Sequence, residues 1–222
     1  MPQALKRALV VHGGWRRRAP AKATALIIAF LQRHGYVVAV SNDLDAYNHA
    51  ALIAGTDLVV QCWTTGLPTD DQIAGLRRAV EAGIGFVGWH GGILESFRAS
   101  PAYFQLIGAQ FVPHPQDFDE YTIVLAPTSR DHEIVRGLPS EITVEAEQYW
   151  VLSDPHNEVL ATTTIPASLG ETWAEPITVP AIWTRRWGAG RVFMCAPGHD
   201  APTLEVAEIR TVVERGLLWA SR

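Results

Sequence analysis

Short apolar runs alternate with amphipathic stretches through the first half of this chain. ALVVH (8–12) ends at Gly13-Gly14 and reads as a buried parallel strand. Over 20–34, Ala23, Leu26, Ile27, Phe30 and Leu31 keep the i, i+3, i+4 spacing of a helix with one apolar side, and Gly35 is placed to stop it. YVVAVS (36–41) and DLVVQCW (57–63) predict a second and third strand. Thr69 or Asp70 can cap a helix running to Glu81, with Gly83 beyond its end, and GIGFVGWH (83–90) predicts a fourth strand. Strands separated by helices in this way imply right-handed crossovers and a parallel sheet.

After about residue 110 the spacing changes. EYTIVLA (120–126), EITVEAEQYWVL (141–152), EVLATTT (158–164), TVPAIWT (178–184) and RVFMCAP (191–197) predict strands joined by turns. Gly188-Ala189-Gly190 marks a hairpin between the last two. A final helix over 203–219 has Val206, Ile209, Val213 and Leu217 on its apolar side. No repeat or linker interrupts the sequence, so one domain spanning 1–222 is expected.

Composition narrows the picture without redrawing it. Of 222 residues, 48% are hydrophobic and 18% charged, a globular profile able to bury a core without disulfides. No apolar run approaches the ~20 residues of a membrane span, and the start lacks the features of a signal peptide, so a cytoplasmic protein is expected. A net charge of -5 without a basic stripe argues against nucleic acid as partner. Arg16 to Arg18 form the one tight basic cluster, read as a solvated loop. Cys62 and Cys195 each follow an apolar run and read as reduced core thiols. Of eight tryptophans, Trp15, Trp63 and Trp89 fall at or just beyond strand ends, where open α/β sheets bind ligands and where indole faces stack on sugars.

The chemistry concentrates on histidine. Gly88-Trp89-His90-Gly91-Gly92 is a small-x-X-x-small turn between a strand and a helix start, the geometry of a nucleophile elbow. Its centre is histidine, not serine or cysteine, which leaves acid–base work or metal ligation open and disfavours a covalent acyl-enzyme. His12 and His199 also close predicted strands, and His114 lies in the proline-fixed loop PHP. Glu145 and Glu147 share one face of the predicted strand, and Glu147 beside Tyr149 and Trp150 is the preferred carboxylate. Two histidines and a glutamate suit Zn²⁺ or another divalent ion, with His90, His114 and His199 the candidate ligands. The GxGxxG match at 83–88 lies inside a strand pattern and not in a strand-to-helix turn, so no nicotinamide cofactor is expected.

VVHGGW (10–15), GFVGWHGG (85–92), FVPHP (111–115), DHEIVRGLP (131–139), EQYWVL (147–152), EVLATT (158–163) and AIWTRRWGAGRVFMCAPGH (181–199) together resemble the trehalose-utilisation (ThuA-like) family, which is similar in fold to class I glutamine amidotransferases. The resemblance implies an α/β flavodoxin-like three-layer sandwich, mostly parallel, with extra antiparallel strands in the second half. It implies that the elbow cysteine is lost, with His90 in its place. It also implies a role in sugar catabolism and a pocket formed by His12, Trp15, His90, His114, Glu147 and His199. Glu133 follows His132 where the family motif commonly has proline, within what reads as a loop entry.

These readings favour an enzyme in which His90, Glu147 and His199 move protons on a sugar or keto-sugar, with His12, Trp15, Trp63, Trp89 and His114 binding it. An isomerase or lyase acting next to a keto group needs a base and an electrophile but no nucleophile. Hydrolysis by two carboxylates fits less well, because Glu145 and Glu147 lie side by side on the predicted strand. Glutamine amidotransfer fails on the missing cysteine. The alternative is a non-catalytic sugar-binding or assembly domain that kept the fold. Homo-oligomerisation is a base-rate expectation.

Overall fold

The parallel half follows from apolar runs whose side chains are buried on both faces. In the computed structural model, which describes residues 5–14, 21–112, 118–167 and 173–222, β1 (Lys6–Gly14) leads through α1 (Ala21–Arg33) to β2 (Tyr36–Ser41). A short helix α2 (Ala50–Ala54) precedes β3 (Leu58–Thr64), and α3 (Asp70–Glu81) precedes β4 (Gly85–Trp89). Thr69 and Gln72 form a reciprocal capping box at the start of α3. After β4 come a one-turn helix α4 (Gly91–Leu94), α5 (Pro101–Ile107) and β5 (Ala109–Phe111). Ser100 and Pro101 start α5, and Gly108 ends it at φ 71.

The second half supplies β6 (Asp119–Leu125), β7 (Glu141–Ala146), β8 (Val151–Ser153), β9 (Glu158–Ile165), β10 (Ile177–Trp187) and β11 (Gly190–Cys195), then α6 (Ala201–Glu205) and α7 (Ala207–Ala220). One nine-stranded sheet has the order β2-β1-β3-β4-β11-β10-β9-β6-β7, and β5 pairs with β8 separately. The neighbours from β2 to β11 are parallel, and those from β11 to β7 antiparallel. The fold is flavodoxin-like α/β with an antiparallel extension. On one face of the sheet Val10, Val60, Val87 and Phe193 meet Ile27 of α1 and Val213 of α7. On the other, Leu9, Val59 and Phe86 meet Leu76 of α3 and Leu106 of α5. No helix among the described residues is long and apolar enough to cross a membrane.

Two elements depart from the spacing. The strand expected over 141–152 stops at Ala146, and Glu147–Trp150 leave the sheet before β8 begins. Glu145 therefore stays exposed on β7 while Glu147 is buried, so the two do not share a face. The helix expected over 203–219 breaks at Val206, whose ψ of 124° is extended. Asp200 caps the first piece, and Leu204, Ile209 and Val213 still bury against one core, so apolar periodicity runs through the break unchanged.

Candidate functional site

His90 sits at the turn between β4 and α4 with φ 47 and ψ -145, a region that costs a residue with a Cβ about 1–3 kcal/mol. The surroundings hold it there. Its N–H donates to Cys195 O at 2.8 Å, and its carbonyl accepts from Ile93 and Leu94. The flanking glycines answer to space: a Cβ on Gly88 would come within 2.6 Å of Ile93 Cδ1, and one on Gly92 within 3.0 Å of the Cys62 Cα. The turn has the geometry of a nucleophile elbow, with an imidazole at its tip.

The hydrogen bond to Cys195 ties this elbow to the end of β11, which turns through Ala196-Pro197-Gly198 to deliver His199. Gly198, at φ 133, lies where a Cβ would meet Trp89 at 2.9 Å. Asp200 does not orient the His199 ring; its carboxylate caps α6, accepting from Thr203 N and Oγ1. Glu147 arrives from the antiparallel half. Just past β7 it is held by Gln148, whose amide donates to Thr163 Oγ1 and to Thr164 O on β9.

The three side chains converge. Glu147 Oε2 lies 2.9 Å from His199 Nδ1 and 3.4 Å from His90 Nε2. The His90 and His199 rings meet edge to face at 5.0 Å, and Phe118 stands edge-on to His199 at 4.8 Å. His90 is 5% exposed and Glu147 2%. Behind His90, Tyr149 Oη lies 3.1 Å from Nδ1 while its hydroxyl donates to Glu95 Oε1. With its proton directed at Glu95, the tyrosine oxygen is left to accept from His90 Nδ1–H.

A cavity of about 340 Å³ opens over this group, walled by Lys22, Cys62, Trp89, His90, Glu95 and His199 among others. It lies at the carboxyl ends of the parallel strands, where such sheets bind ligands. Glu147 stands behind the two imidazoles, outside the cavity wall. Neither cysteine is a nucleophile at neutral pH. Burial pushes the Cys62 thiol up to about 11, partly offset by a hydrogen bond with Thr24, and burial raises Cys195 further.

Trp89 lines the cavity, but Trp63 does not. Its neighbours Cys62 and Thr64 point into the cavity, so strand alternation sends the Trp63 indole to the opposite face. His12 pairs in register with Cys62, a strand further from His90, and does not line the cavity either. Trp15, His114 and Arg16 to Arg18 lie outside the described residues. Two cavity groups escaped the sequence reading. Lys22 opens α1, and Glu95 is the lone acid of GGILESF, five residues after His90. That isolation in an apolar turn was the available signal.

The overall architecture is that of known structures. A ThuA-like protein from Parabacteroides merdae superposes with a TM-score of 0.73 at 16% identity, covering 97% of this chain and 89% of that one. A second, from Bacteroides uniformis, gives 0.72 at 14% identity over 100% and 91%. A Salmonella typhimurium protein described as cytoplasmic gives 0.62 at 12% identity over 97% and 100%. No curated protein matches the sequence. At these identities the structures speak for the fold alone, but residues 7–220 match the ThuA family, described as trehalose utilisation, and the chain belongs to that family.

Proposed function

We propose that this protein is a cytoplasmic enzyme of carbohydrate breakdown that moves protons next to the carbonyl of a keto-sugar. One observation carries the reading: Glu147 Oε2 stands 2.9 Å from His199 and 3.4 Å from His90 behind a cavity at the sheet's carboxyl edge. Family membership supplies the carbohydrate link. The cavity volume of about 340 Å³ sits at the small end of the roughly 300–1,000 Å³ range of ligand pockets, a size for a sugar of one or two rings.

With Glu147 accepting from Nδ1–H, His199 keeps its Nε2 lone pair as a general base. It takes a proton from the carbon beside the ketone; the C–H electron pair becomes the new C=C bond and the carbonyl pair moves onto oxygen. Lys22 and Trp89 line the same cavity, the ammonium placed to bind sugar hydroxyls and the indole to give an apolar contact. The test is solvent exchange in D₂O of trehalose bearing one ring ketone, followed by NMR. The wild-type chain should exchange the proton beside the ketone, and His199→Ala should slow this by about 10²-fold or more. A folded wild-type protein that binds the sugar but exchanges nothing favours the sugar-binding domain instead.

A second reading adds a divalent ion, and the donor set favours it. His90 Nε2, Glu147 Oε2 and His199 Nδ1 lie within 4.8 Å of one another. Tetrahedral zinc with bonds of about 2.0–2.1 Å places its ligand atoms roughly 3.4 Å apart. Two histidines and a glutamate form a catalytic type of set that keeps a position open to substrate. A bound ion would polarise the keto oxygen, and the Tyr149–Glu95 pair would hold the His90 tautomer needed for ligation. Protein purified without tag or chelator should carry about one zinc per chain, lost in His90→Ala. A chain free of metal, whose melting temperature Zn²⁺ does not move, excludes the ion.

A further inference from the structure

Gly91, the second glycine of the elbow, presents a different problem from Gly88 and Gly92. The nearest groups a Cβ there would meet are the carboxyl end of Glu95, at 2.7 Å from Oε1, and the Tyr149 hydroxyl at 3.2 Å. The missing side chain at Gly91 thus leaves the space in which Glu95 and Tyr149 meet. Glu95 itself is half-buried on the cavity wall, and the Tyr149 hydroxyl donates to its Oε1. Beside His90, the cavity wall therefore carries two acid–base side chains that are each backed by a further group. His199 is backed by Glu147, Glu95 is backed by Tyr149, and the two backing groups meet at His90.

We propose that Glu95 is a second proton-transferring residue of the site, exchanging a proton with the sugar while Tyr149 positions its carboxyl. This rests on the keto-sugar reading above. Shifting unsaturation within an α-hydroxy-ketone needs two proton movements at different atoms: one proton leaves carbon as the enediolate forms, and another must reach or leave the neighbouring oxygen. A single base serves one of these. Glu95 supplies the second: its carboxylate takes the hydroxyl proton as that oxygen's electron pair closes the new carbonyl, the C=C pair takes a proton from protonated His199 at the former carbonyl carbon, and the Glu95 carboxyl gives its proton to the other oxygen. No oxidant or co-reactant is needed. The scheme belongs to the ion-free site, because an ion on His199 Nδ1 would leave that ring's proton on Nε2 and remove the base.

The experiment compares wild type, Glu95→Gln, Glu95→Asp, Tyr149→Phe and Gly91→Ala, each first shown to fold by circular dichroism and melting temperature. The probe is trehalose bearing one ring ketone in D₂O, with and without Zn²⁺. NMR reads exchange at carbon separately from net conversion of the keto-sugar. Glu95→Gln should lower conversion by about 10²-fold or more while exchange at carbon, driven by His199, falls far less. Glu95→Asp should recover part of the loss. Tyr149→Phe and Gly91→Ala, which leave the carboxylate but disturb its placement, should fall between. Wild-type exchange with conversion in Glu95→Gln within about threefold of wild type overturns the Glu95 role and leaves the parent reading standing. A wild-type chain that exchanges nothing overturns both.

Discussion

At the scale of single residues, what is absent from the elbow is as informative as what is there. An imidazole, not a thiol, stands at the tip, and Cys62 on the cavity wall holds its proton to about 11 instead of the ordinary 9.0 because it is buried. Native Cys62 should accordingly react with iodoacetamide far more slowly at pH 7.5 than a free thiol, its rate rising about tenfold per pH unit until the thiol titrates. Fast labelling at neutral pH would contradict the assigned environment. The sign of the stability effect follows from the same shift. Above pH 9 the unfolded chain releases this proton and the folded one keeps it, so stability declines between about 9 and 11, by roughly 2–3 kcal/mol from this group. Below 9 both states hold the proton and the contribution is flat.

At the scale of elements, the elbow is held by a buried polar net on the sheet face away from the cavity. Gln61 of β3 accepts from Tyr47 Oη at 2.8 Å, and its amide donates to Tyr103 Oη at 2.7 Å and Ser96 Oγ at 3.0 Å. Tyr103 in turn donates to Ile93 O in α4, so β3, α4 and α5 are locked together beneath His90. Replacing Gln61 by Leu would strand the Tyr47 hydroxyl in a dry core, and urea unfolding should show a loss of about 2–3 kcal/mol; a change below about 0.5 kcal/mol would mean water enters the net. Periodicity and capping made the elements themselves legible: α1 and the four early strands sit where apolar spacing puts them, and α3 where Thr69 and Gly83 bound it. It missed α5, which is set by Ser100, Pro101 and Gly108 more than by a stripe. It also ran β7 into β8, because Glu147 to Trp150 keep a strand-like composition after leaving the ladder. Of the site, His90 and His199 were legible because each follows a strand and a glycine marks its turn. Trp63 misled because a strand end says nothing of which face a side chain takes. Glu95 was hidden because a lone acid in a turn has no period at all.

At the scale of the whole molecule, the site joins two halves that differ in construction. His90 and His199 come from the parallel strands, and Glu147 from the antiparallel extension. The parallel half alone reproduces the ligand edge common to such sheets; what this chain adds is a carboxylate brought in from the other side. The order of the strands has a temporal consequence. β11 is the last strand in sequence, yet it lies in the middle of the sheet, between β4 and β10. Until residues 190–195 emerge from the ribosome, β4 and β10 each present a bare ladder edge, and the two half-sheets have no seam to join them. The strand that closes this gap also carries His199 into place a few residues later. Nascent chains thus carry a bare β4 edge from residue 89 until β11 arrives, and they acquire their continuous sheet and His199 in the same late event.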